Sequence, residues 1–114
     1  IESQVQGGVL MGISYALMEE RVLDANTGWM LNPNLIDYKL LGPRDVPDIT
    51  VLLLEYYQGL SASDAYGISE PANIATAAAI ANAVYNATGV RIRSLPMTPA
   101  AVLGALGVVP GGRH

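Results

Sequence analysis

The sequence contains no cysteine in its 114 residues and a single histidine, the terminal His114. The missing thiols exclude disulfides, cysteine-ligated zinc and an iron–sulfur cluster held by this chain. A lone terminal histidine also excludes a histidine-rich metal site and a Ser-His-Asp triad. The six basic residues are scattered, so the sequence lacks the basic stripe that nucleic-acid binding requires. We therefore expect no nucleic-acid partner.

Charge of either sign is scarce: 14% of the residues are charged, 51% are hydrophobic and the net charge is −4. A surface with so little charge predicts that further protein covers part of it. Because the chain also starts at Ile1 rather than Met, we expect a fragment or subunit of a larger assembly. No secretory signal opens the chain. Of its two uncharged runs, 3–18 is too short and 71–90 too polar for a membrane span.

The strongest structural pattern in the sequence runs from Ser61 to Gly89. A loop leads into Glu70 and Pro71, and small or apolar residues then recur at the spacing of one buried helical face. Pro71 suits the first position of a helix, and Gly89 suits a left-handed stop. Glu70 is therefore predicted at the start of a helix, where unpaired amides and the helix dipole favour a negative charge. Glutamate there is ordinarily only a favourable dipole contact, so the pattern alone gives no function.

The remaining elements predict two further helices. Gln4 to Arg21 reads as a helix in which Gly8, Gly12 and Ala16 recur every four residues and form a smooth packing ridge. Thr98 and Pro99 are a good N-cap and first position for a short final helix, with 100–106 as its body. The glycine- and proline-rich segment 107–114 is predicted to be a flexible tail.

Short strands are predicted between these helices. A turn at 24–28 indicates a hairpin within 23–34, and 34–41, 49–57 and 90–93 read as strands. The run of Val and Leu in 49–57 predicts a strand buried on both faces. The order of elements predicts an α+β fold: a single domain or lobe over 1–106, with two main helices, a short final helix and a small mixed sheet.

Four stretches in order resemble the C-terminal part of the molybdenum-binding subunit of the xanthine dehydrogenase/aldehyde oxidase family, the molybdenum hydroxylases. They are the glutamine- and glycine-rich helix start at 4–13, the hairpin at 31–39, the connection at 45–49, and the glutamate loop with its helix and closing segment at 67–96. The resemblance covers nearly the whole chain. It implies the C-terminal portion of a molybdopterin-binding domain.

The resemblance implies an oxidoreductase that hydroxylates an aldehyde or an N-heteroaromatic ring with oxygen from water. Glu70 matches the family's catalytic glutamate, the base in that reaction; Gln4 matches a cofactor contact, and Ile68 and Ser69 match positions whose backbone approaches the cofactor. The cofactor would be molybdopterin, possibly as a dinucleotide, with no metal ligand from this chain. Iron–sulfur and flavin groups would lie on other domains or subunits, and a cytoplasmic location is expected, with the periplasm left open.

The loop before the glutamate departs from the family pattern at two positions. The loop usually carries a basic residue, commonly lysine, four positions before the glutamate, and here that residue is Tyr66; the residue before the glutamate is often glycine and here is Ser69. Two other functions stay open. One is a non-catalytic assembly or interaction domain that keeps the family fold. The other, a nucleotide-binding module, is disfavoured because Glu70 would repel phosphate. In the catalytic interpretation, the isolated chain is predicted to be inactive.

Overall fold

The structure is a computed structural model that describes residues 1–54, 62 and 67–108. The described residues form four helices. The first, α1, spans Glu2–Leu17, and the last, α4, spans Pro99–Ala105. Between them lie α2, of only four residues (Pro71–Ile74), and α3 (Thr76–Thr88). The first main helix and the short final helix are present as predicted, although α1 ends four residues before the predicted end at Arg21. The second predicted main helix is divided into α2 and α3.

The glycine ridge of α1 is the surface on which α2 and α3 pack. A methyl group at Gly8 would lie 2.5 Å from the Ala72 Cβ, and one at Gly12 would lie 2.5 Å from the Thr76 Cβ. Both contacts advance by four residues, so α1 and the α2–α3 segment run in the same direction at this contact. Glycine is required here because any side chain would separate the backbones. The predicted packing role of the ridge is confirmed.

The helix predicted from Pro71 to Gly89 is interrupted at Ala75, which separates α2 from α3. The Tyr15 hydroxyl of α1 donates a hydrogen bond of 3.1 Å to the carbonyl of Asn73. A continuous α-helix would offer that carbonyl to the amide of Ala77. The end of the segment is as predicted: Gly89 has φ +73 and its amide donates to the Tyr85 carbonyl.

The hairpin predicted after α1 is present as a single antiparallel bridge between Leu23 and Met30. Asp24 holds its turn, because its carboxylate accepts hydrogen bonds from the amides of Asn26 and Thr27 and from the Thr27 hydroxyl. These bonds, the hydroxyl contact foremost, lower the pKa of Asp24. Gly28 follows with φ +72, which glycine adopts without strain.

Asn32 ties this hairpin to the end of α1. Its side chain is 8% exposed; Nδ2 donates to the Glu20 carbonyl at 2.6 Å, and Oδ1 accepts from the Val22 amide at 2.9 Å. Two backbone groups that the chain leaves unpaired after α1 are thereby satisfied by one buried amide side chain.

Asn32→Ala is expected to loosen the hairpin, because the Val22 amide and the Glu20 carbonyl lose their partner. Each hydrogen bond contributes about 0.5–1.5 kcal/mol, so the loss of both costs about 1–3 kcal/mol, which corresponds to roughly 5- to 150-fold faster amide exchange if opening is local. Hydrogen exchange over 20–32 in the intact subunit measures this. Asn34→Ala is the control, since Asn34 is exposed and binds only within its own turn. Equal exchange over 20–32 in the two variants would contradict the role of Asn32.

The strand predicted at 34–41 is wrong. The Asn34 side chain accepts the amides of Ile36 and Asp37, and its carbonyl accepts the amide of Tyr38 at 2.8 Å. These bonds close a turn in place of a ladder, because a side-chain acceptor competes with strand pairing for the same donors.

The other two predicted strands are not borne out in the residues that the structure describes. In 49–54 no strand is formed, and Leu52 and Leu54 are 83% and 91% exposed, so burial on both faces is contradicted; 55–57 lie outside the described residues. After α3, Arg91 donates to the Asn82 side chain at 2.7 Å and lies over the Tyr85 ring at 4.0 Å. This contact turns 90–93 back onto α3 rather than into a sheet.

The described residues therefore contain helices and one bridge but no sheet, which corrects the predicted α+β fold. The core is small: among the described hydrophobic residues, only Ala16 and Met97 are buried, and the Met97 amide donates to the Ala16 carbonyl at 2.7 Å. The radius of gyration is 17.6 Å, against about 13 Å for a compact domain of this length. A strand needs a neighbouring strand to pair with, and the part of the chain that the structure describes supplies none. Over the described ranges, no helix has the length and apolarity to cross a membrane.

Candidate active site

Glu70 lies at the N-cap of α2, with Pro71 at the first helical position, as predicted. Glu70 is exposed, and its backbone carbonyl accepts a hydrogen bond of 3.1 Å from the Asn73 amide. No side chain caps the helix start. Because α2 has only four residues, the dipole expected there comes from the local peptide groups of the first turn rather than from a long helix. The carboxylate is thus displayed at the surface of this chain.

The other three predicted site residues lie at the same end of the helix pair. Gln4 is in the first turn of α1, one turn before Gly8, and Gly8 packs on Ala72, two residues after Glu70. Ile68 and Ser69 lead directly into Glu70. Since α1 and α2 run in the same direction here, their amino-terminal ends lie together. All four predicted site residues are exposed.

The amino-terminal end of α1 offers hydrogen-bonding groups that can bind an organic cofactor. Gln4 offers a carboxamide that can donate and accept hydrogen bonds. The Val5 amide is the first in α1 to donate a helical hydrogen bond, so the amides of residues 2–4 have no partner within the helix. Across the part of the chain that the structure describes, no group of three or more His, Cys, Asp or Glu residues could hold a metal. The Gln4 carboxamide and the free amides of α1 fit the hydrogen-bonding groups of an organic cofactor such as molybdopterin.

A cavity of about 1120 Å³ lies elsewhere, between the carboxyl-terminal end of α1 and α4. Leu17, Met18, Met97 and Val102 are among its lining residues, and none of the four predicted site residues is. Helix α1 is about 24 Å long, from 16 residues at 1.5 Å each, and separates the two regions. Large apolar pockets are the default location for a ligand. Here the predicted site residues lie at the opposite end.

Sequence reasoning found the ridge but not its partner. It also missed Tyr15, which is half-buried and reaches Asn73, 58 residues along the chain. The available signal was a tyrosine adjacent in sequence to Ala16, the last residue of the ridge. Tyr66 and the other loop residues at 63–66, with 58–61, lie outside the described residues.

Comparison with known proteins gives one family. Residues 1–47 match the family described as a molybdopterin cofactor-binding domain. The chain is 47% identical over 98 residues to a putative xanthine dehydrogenase molybdenum-binding subunit of Escherichia coli K12, covering 86% of this chain and 13% of that protein. It is 40% identical over 97 residues to the aldehyde oxidoreductase molybdenum-binding subunit of the same strain, covering 84% of this chain and 13% of the relative.

A solved structure agrees with these sequence matches. Quinoline 2-oxidoreductase from Pseudomonas putida 86 superimposes with a TM-score of 0.83 at 31% identity, over 96% of this chain and 14% of that one. The chain thus spans about one eighth to one seventh of the length of the relatives it matches. Matches at this identity over most of the chain place it in one family: it belongs to the molybdenum-binding subunits of the xanthine dehydrogenase/aldehyde oxidase (molybdenum hydroxylase) family.

Proposed function

We propose that this chain is the C-terminal portion of the molybdopterin-binding domain of a molybdenum hydroxylase, and that it presents the catalytic base. The observation that carries this proposal is the placement of Glu70. It stands exposed at the start of α2, beside the amino-terminal end of α1 that carries Gln4. Family membership supports assigning that end to the cofactor and substrate.

Glu70 is the base in this proposal. A base for this reaction must be a carboxylate that does not ligate the metal, and Glu70 is an exposed glutamate at a helix start. Molybdopterin, when bound, supplies the redox centre that accepts two electrons from the substrate carbon. Glu70 accepts the proton released as the water-derived oxygen bonds to that carbon. The products are the hydroxylated substrate, two electrons and two protons.

The remaining site residues orient the cofactor. Gln4 is assigned a hydrogen bond to molybdopterin, because its carboxamide can both donate and accept. Ile68 and Ser69 approach the cofactor with backbone groups as they lead into Glu70. The substrate class is an aldehyde or an N-heteroaromatic ring, since relatives are named for xanthine, aldehyde, isoquinoline and nicotinate oxidation.

The partners are the remainder of the molybdenum-binding subunit and electron-transfer subunits that carry iron–sulfur and flavin groups. Two observations favour a covered surface: the high exposure of apolar side chains such as Trp29 at 76% and Ile36 at 86%, and the open shape of the chain. Because the cofactor envelope needs more polypeptide than this, we predict that the isolated chain is inactive. The segment 107–114 is assigned as a tail outside the 1–106 unit.

A non-catalytic assembly domain is the alternative, favoured by the tyrosine at position 66 where the family pattern has a basic residue. The two functions differ in cofactor content. We expect the native complex to contain about one molybdenum and one pterin per subunit, measured by elemental analysis and by fluorescence of the released pterin. A folded complex with neither would contradict the catalytic proposal and favour the assembly role.

A further inference from the structure

Helix α2 cannot hold its position by itself. It has four residues, no side-chain cap at its start and no buried residue. A single isolated helical turn is unstable, because nucleation fixes several residues for one hydrogen bond. The direction in which α2 presents Glu70 must therefore be set by its tertiary contacts.

Two contacts with α1 supply this constraint. Gly8 packs closely against Ala72, and this contact is nonpolar and has no directional hydrogen bond. The Tyr15 hydroxyl adds a directional contact, a 3.1 Å hydrogen bond to the Asn73 carbonyl. Asn73 in turn donates its amide to the Glu70 carbonyl at 3.1 Å. Two hydrogen bonds that share Asn73 thus connect the Tyr15 hydroxyl to the backbone of Glu70.

We propose that Tyr15 is a positioning residue for the base, and that its hydroxyl fixes α2 through Asn73 so that the Glu70 carboxylate is held in a reactive orientation. This inference rests on the proposed function of Glu70. Carbonyls at the end of a helix lack intrahelical partners. The Asn73 carbonyl lies where α2 ends and accepts both the Ala75 amide and the Tyr15 hydroxyl, so the bond from Tyr15 lies at the break between α2 and α3.

Tyr15→Phe in the assembled enzyme tests the inference, since it removes the hydroxyl and keeps the packed ring. Tyr38→Phe is the matched control: it also removes a tyrosine hydrogen bond, the 2.9 Å bond to Glu19, remote from α2. We expect Tyr15→Phe to lower kcat about tenfold with KM within about twofold of the wild type, because misplacing a catalytic group acts on the chemical step. Tyr38→Phe should leave both unchanged.

A second readout is independent of turnover. Hydrogen exchange over 70–79 should be about five- to tenfold faster in Tyr15→Phe than in the wild type, and unchanged in Tyr38→Phe. Unchanged exchange over 70–79, or a kcat equal to that of Tyr38→Phe, would overturn the inference. So would a change in KM alone.

Glu70→Gln, measured beside these variants, separates the two proposals. If Glu70→Gln is inactive and Tyr15→Phe behaves as wild type, the positioning role fails and the base assignment stands. If Glu70→Gln turns over normally, the base assignment fails, and with it any positioning of a base by Tyr15.

Discussion

Replacing Glu70 with glutamine is expected to abolish turnover of the assembled enzyme while leaving its molybdenum content unchanged. Glutamine has nearly the same shape but cannot accept a proton at neutral pH. A general base contributes about 10²- to 10⁴-fold, so the loss in kcat should be at least about 100-fold. The backbone at this position should persist, because the carbonyl that accepts the Asn73 amide is retained. Steady-state turnover and elemental analysis of the same preparation measure both quantities.

Glu20→Gln is the matched control for this variant. It makes the same change of charge three residues after the end of α1, where the Glu20 backbone, rather than its side chain, bonds to Asn32. It should retain wild-type turnover. Normal turnover in Glu70→Gln would refute the base assignment. Loss of molybdenum together with activity would also count against it, since it would make Glu70 a residue needed for loading the cofactor.

Gly8→Ala is expected to have the second largest effect on kcat, because it adds a methyl group where α1 contacts α2. The new methyl would lie 2.5 Å from the Ala72 Cβ and 3.1 Å from its backbone carbonyl carbon. Neither atom belongs to a flexible side chain, so α2 must move away from α1. Overpacking of this kind costs about 1–3 kcal/mol. Displacement of Glu70 by about 1 Å would lower kcat about 100-fold.

Gly7→Ala is the control, one position earlier on the same helix. A methyl there would meet nothing within 4 Å, so the substitution should stabilise α1 by roughly 0.5–1 kcal/mol through helix propensity. Thermal unfolding and turnover of the assembled enzyme distinguish the two. Comparable activity in Gly7→Ala and Gly8→Ala would show that the close approach of α1 and α2 does not govern the site.

The sequence predicted those features of the fold that depend on local backbone preferences. The helix starts at Pro71 and Pro99, the stop at Gly89 and the turn after Asp24 follow from backbone preferences of a few residues. The ridge of small residues predicted a close packing contact. These features need no knowledge of the rest of the fold.

The features that the sequence could not predict depend on distant or absent neighbours. The break at Ala75 accompanies a bond from Tyr15, which no local pattern signals. The apolar run at 49–54 has the composition of a buried strand, but a strand also requires a partner, and the described residues supply none. The chain spans about one eighth of its E. coli relatives. The candidate site residues were predicted from the family resemblance, because spacing alone gives Glu70 only a dipole contact.

The central claim is tested most directly by single-turnover reduction. The assembled enzyme, with its cofactor loaded, is mixed with substrate in the absence of an electron acceptor, and the rate of cofactor reduction is compared between the wild type and Glu70→Gln. Proton acceptance by Glu70 predicts a rate at least about 100-fold lower in the variant, at equal molybdenum content. Reduction at the wild-type rate would contradict the account.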